Sequence, residues 1–160
     1  MIVTRKQVCE FITDSLNNDI ELTDEKLEAV ILAVNSDLQV RDWLMGLPNR
    51  WTLDEGIKLM QYLCVQAPTE DLVPFVTLQS IYYYEQGNTE KATTLINYAL
   101  RLDSSYALAT LIQKIYSLGW PIESFQNMRD ELDVKILEEC YGKGGATVIT
   151  EDGELHVANV

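Results

Sequence analysis

The side chains able to do covalent, metal or acid–base chemistry are few and badly spaced for it. His156 is the only histidine, and Cys9, Cys64 and Cys140 lie far apart with no C-x-x-C pair. A zinc site built on one imidazole would have to draw on clustered thiolates, so no metal site is expected. No G-x-S-x-G, H-E-x-x-H or P-loop pattern occurs. Gly142-Lys143-Gly144-Gly145 is followed by no helical pattern on which a phosphate could sit, and it reads as a flexible joint. The pairs Asp24/Glu25 and Asp54/Glu55 fall where helices start, and capping accounts for them. Glu138/Glu139 read as a solvated face. Arg41-Asp42, amid apolar neighbours, reads first as an ion pair or cap and second as a functional site. The expectation is a non-enzymatic protein with no catalytic residues and no cofactor.

Charge narrows the partners. The 160 residues include 25 acidic and 12 basic ones, a formal net charge of −13. Such a balance repels phosphate backbones and anionic lipid, which disfavours direct nucleic-acid or membrane binding. The acids either keep the protein soluble or present a surface to a basic partner. An odd number of unclustered cysteines fits a reducing compartment. No apolar run approaches membrane-spanning length and nothing near Met1 resembles an export signal, so a cytoplasmic protein is expected. A hydrophobic content of 47% suits one folded domain with a genuine core.

The elements that must position any binding surface are helices. Thr4 opens a first one over residues 4–16, with Val8, Phe11, Ile12 and Leu16 at helical spacing. Thr23 opens a second, carrying Leu27, Val30, Ile31 and Val34. A short helix with Val40, Trp43 and Leu44 ends at Gly46 and Pro48. Thr52-Leu53-Asp54-Glu55 reads as a capping box, with Glu55 reaching back. That helix closes at Ala67-Pro68. Thr69 then caps the next, which tolerates Pro74 in its first turn.

Residues 73–104 carry the most specific pattern. Small Ser80, turn glycine Gly87, small Ala92 and Ala99 and an A-L-x-L-D close resemble a tetratricopeptide repeat, in which two antiparallel helices approach closely. A weaker copy follows at the same offset: Tyr116 after Tyr84, Gly119 after Gly87, Ser124 after Ala92. It departs at Ile112 and Glu131, as a degenerate capping repeat would. Beyond Tyr141, alternating apolar residues around Glu151-Asp152-Gly153 predict a hairpin that must dock, pair with another chain, or fray. The fold class expected is all-α: a right-handed antiparallel helical array of about eight helices over residues 1–141, with tetratricopeptide-like (TPR-like) hairpins over 73–132 and a Gly-rich joint and short β-hairpin over 142–160.

The segment from Asp37 to about Phe125 also resembles the C-terminal helical half of the actinobacterial family of unknown function numbered 4192. The resemblance rests on V-R-D at Val40 to Asp42, on the run to Ala67-Pro68, and on E-Q-G-N…A…A-L-R-L-D-S-S-Y-A-L-A. It implies no activity. Relatives occur in actinobacteria and their mobile elements, and a shortened stand-alone version fits a phage or plasmid gene.

Aromatic residues point to the binding surface. Tyr82-Tyr83-Tyr84 span nearly a full helical turn and cannot share one face. By the repeat pattern Tyr83 packs inside, Tyr84 faces the inner groove and Tyr82 points elsewhere. Thr77, Ile81, Tyr84 and Glu85, joined by Tyr106, Gln113 and Tyr116, are expected to line a concave surface for a protein partner. The competing reading has these rings fill gaps between helix layers. Trp43, Trp51 and Trp120 are expected to plug seams near turns. Two functions compete: an interaction module for a protein partner, or an acidic inhibitor blocking a nucleic-acid-binding enzyme of the host. Self-association through the C-terminal tail is the further expectation.

Overall fold

A computed structural model describes residues 2–141, 145–149 and 155–159, and the side chains of residues 3–136. The fold is an all-α helical array, with three short strands added. Its helices are α1 (Arg5–Asn18), α2 (Asp24–Ser36), α3 (Leu38–Met45), α4 (Leu53–Gln66), α5 (Val73–Glu85), α6 (Thr89–Leu102), α7 (Ala107–Ser117) and α8 (Ile122–Tyr141). The chain forms two compact units, one of residues 45–131 and one of residues 1–44 with 132–160.

In the second of these, Thr4 caps α1 with a full capping box. Its hydroxyl accepts from the Gln7 amide at 3.1 Å while the Gln7 side chain accepts from the Thr4 amide at 2.9 Å. Thr23 caps α2, as expected. Strand β1 (Ile2–Thr4), for which the sequence offered no signal, pairs antiparallel with β2 (Gly145–Ile149), which pairs antiparallel with β3 (Leu155–Asn159). Strands β2 and β3 lie against α1 and α2, so this tail docks on its own chain. The joint at 142–144, the turn at Glu151-Asp152-Gly153 and the side chains of Cys140 and His156 lie outside the described residues. Val8, Cys9, Ile12, Ala29, Val30 and Val34 are buried. Arg5 pairs with buried Asp37, and Arg41 places Nε and Nη2 on Asp42 Oδ1 at 3.0 and 2.8 Å, the ion pair expected for Arg41-Asp42.

The 45–131 unit is organised around α5, buried along nearly its whole length. Thr52 caps α4 through the Glu55 amide at 3.1 Å, but the Glu55 carboxylate accepts from the Thr52 hydroxyl at 3.2 Å and does not reach the backbone. Thr69 opens a single 3-10 turn, Thr69–Asp71, and α5 starts later, at Val73, with Pro74 in its first turn and no side-chain cap. Gly56 lets α4 approach α5: a Cβ there would stand 3.0 Å from the Tyr82 ring and 3.3 Å from Leu47. Tyr82 is accordingly the fully buried tyrosine, while Tyr83 is half-exposed under the Lys91 ammonium. The sequence assigned these two the other way, because periodicity within α5 cannot show that a neighbouring helix covers the Tyr82 side.

Candidate functional site

The turn after α5 is built from one glycine and three backbone bonds. Gly87, at φ +85°, donates to the Tyr84 carbonyl, Gln86 to that of Tyr82 and Asn88 to that of Tyr83. Asn88 Oδ1 then accepts from the Lys91 amide and starts α6. α6 packs back on α5 because Ser80 is small, and its hydroxyl donates to the Ala92 carbonyl at 2.6 Å. The turn after α7 repeats the pattern. Gly119, at φ +66°, donates to Tyr116, Leu118 to Lys114 and Trp120 to the Ile115 carbonyl.

Between these two turns lies a half-open cavity of about 400 Å³. Tyr84, Tyr116, Trp120 and Pro121 line it, with Thr89 and Thr93 from the first turns of α6. The rings of Tyr84 and Tyr116 stand 4.8 Å apart at 42°. The Tyr84 hydroxyl donates to the Trp120 carbonyl at 2.6 Å, and the Tyr116 hydroxyl lies 2.9 Å from Ser80 Oγ. Since the Ser80 proton goes to Ala92, the Tyr116 proton goes to Ser80. Burial raises both phenols above their usual range, Tyr116 more strongly, and the nearby Glu85 charge adds to it. Both stay neutral at physiological pH.

The remaining residues expected at the surface are placed differently. Thr77 and Ile81 are fully buried, and the Thr77 hydroxyl donates back to the Val73 carbonyl at 2.8 Å. Glu85 is buried and paired with Arg129 of α8, whose Nη2 also donates to Asn49 at 2.9 Å. Burial raises the Glu85 carboxyl above its usual range although Arg129 pulls it down. Tyr84 is 4% exposed and meets Phe125, on α8, in a T-shaped contact with ring centres 5.6 Å apart. α8 therefore occupies the end of the α5 face that carries Tyr84 and Glu85. Tyr106 is half-buried at the start of α7, and exposed Gln113 donates to Asn97 of α6 at 3.0 Å. Only Tyr84 and Tyr116 of the seven line the cavity.

Trp120, too, is placed differently from the expectation. It is 40% exposed and forms a cavity wall where a seam plug was expected. The signal was present in the matching offsets of Gly87 and Gly119, which set the two turns side by side. Among the described residues no three His, Cys, Asp or Glu side chains gather where they could hold a metal ion. No described helix is long and apolar enough to cross a membrane. Comparison with family models, curated proteins and solved structures finds no match.

Proposed function

We propose that this chain is a non-enzymatic, cytoplasmic protein-interaction module that takes a protein partner at the cleft between its two glycine turns. The observation carrying this reading is the cleft itself: an open aromatic-walled cavity fixed by two backbone-locked turns, with partly exposed Trp120 on its rim. Rigid aromatic walls offer contact area at small entropic cost. Thr77 and Ile81 are buried and α8 meets Tyr84 and Glu85, so the proposed binding surface lies at the turn end of the hairpins and not along the middle of α5. Kinship of residues 37–125 with the family numbered 4192, and origin on a phage or plasmid, belong to the same proposal.

The test is capture from the native host with wild-type and Trp120→Ala protein. The variant is expected to lose the captured partner while its circular dichroism stays unchanged. Retained capture would move binding off the cleft.

The acidic-inhibitor reading draws on the uneven charge. Residues 1–44 with 132–160 hold 15 of the 25 acids and 6 of the 12 bases. Asp14, Asp19, Glu21, Asp24, Glu25 and Glu28 are all exposed there. Complexes of that kind weaken steeply with salt, and cleft binding much less.

A further inference from the structure

We infer that the cleft between the glycine turns is a pocket for a basic side chain, arginine or lysine, carried on an exposed segment of the partner; this rests on the interaction-module reading and names its ligand chemistry. Three features of the cleft converge on that occupant.

Hydrogen-bond bookkeeping comes first. The phenol protons of Tyr84 and Tyr116 are both committed, one to the Trp120 carbonyl and one to Ser80. Toward a ligand these oxygens can only accept. Guanidinium and ammonium groups are donors only, and the lining hydroxyls of Thr89 and Thr93, which can donate or accept, can also serve them as acceptors. Ring chemistry comes next. Tyr116 and Trp120 supply aromatic surface, and the negative faces of such rings attract cations, most strongly where water is partly excluded. The apolar remainder of the wall suits the aliphatic stem of a long basic side chain. Rim charge is the third. Glu90 follows the lining residue Thr89 in the first turn of α6, and Glu123 follows the lining residue Ile122 in the first turn of α8. Both carboxylates are exposed and neither forms an ion pair among the described residues. The nearest cation on α6, Lys91, is turned onto the Tyr83 ring, 5.1 Å from its centre.

The experiment is a titration of the full chain with blocked Gly-Ser-Gly-X-Gly-Ser-Gly peptides, where X is arginine, citrulline or norleucine. Citrulline keeps the shape of arginine and removes its charge. The readout is the indole resonance of Trp120, assigned with Trp120→Phe. Trp43, fully buried, is the internal control. The arginine peptide is expected to move only the Trp120 resonance, saturably. Glu90→Gln with Glu123→Gln, both exposed, should weaken it about fivefold, in line with two rim-exposed charge contacts. Citrulline should bind more than about tenfold more weakly, as loss of the cation–π and ionic contacts implies. A norleucine or citrulline peptide that moves Trp120 as well as arginine does would overturn the basic occupant and leave the docking cleft standing. No movement with any of the three would sink the basic pocket and the cleft-based reading together.

Discussion

The turns that follow α5 and α7 are alike bond for bond, yet the helices leaving them go to different places. Each turn has a glycine at positive φ, and each donates three amides to the carbonyls at equivalent positions of the helix before it. After Gly87 the chain folds back as α6 against the helix it has just left, with Ser80 under the Ala92 carbonyl. After Gly119 the position equivalent to Ser80 is Ile112, buried and bulky. α8 delivers Phe125 and Arg129 to α5. A tight turn thus reverses the chain but does not choose the helix it packs on. Side-chain volume at the crossing and long-range pairing make that choice.

The comparison breaks most severely at Arg129. Replacing it by Met leaves Glu85 buried and unpaired, which should cost about 3–5 kcal/mol at pH 7 in urea unfolding. The double variant Glu85→Gln with Arg129→Met should recover most of that loss. The pH dependence has a definite sign. The folded-state value of Glu85 is raised by burial, so its contribution to stability is present below the usual carboxylate range and is lost as pH rises through the raised value. The penalty of Arg129→Met should therefore shrink on acidification, and Glu85→Gln should remove that part of the pH profile. A penalty that does not vary with pH would mean that Arg129 acts through packing alone.

Ser80→Val comes next. It overfills the α5–α6 crossing and removes the hydroxyl from between Ala92 and Tyr116, for an expected loss of about 2–3 kcal/mol. Ile112→Val at the matching site should cost only about 1 kcal/mol, since it deletes one methylene. Equal losses would erase the distinction between the crossings. The smallest effects belong to the turns themselves. Nothing stands within 4 Å of a Cβ at Gly87 or Gly119, so alanine at either meets backbone strain only. Each should cost about 1–2 kcal/mol, and the two should match in thermal unfolding. A mismatch would show that one turn is held by more than its backbone.

Much of this was legible along the chain. Thr4, Thr23 and Thr52 cap the helices they were expected to cap, Ala67-Pro68 ends α4, and Gly87 and Gly119 take the positive φ that reversal needs. Each of these acts through bonds spanning a few residues, so local sequence determines it. The helices, most of their ends, the two turns and the close approach at Ser80 are what the sequence by itself determined; the start of α5 at Val73 and not at Thr69 is not among them. Tertiary structure decided that Tyr82 and not Tyr83 is buried, because Gly56 of α4 sets that from outside α5. It also decided that α8 reaches the Tyr84 and Glu85 end of α5, with Arg129 on Glu85 and Asn49, and that Trp120 stands open beside a cleft. These outcomes depend on helices far apart in the chain competing for the same space, and no local spacing records who wins that competition.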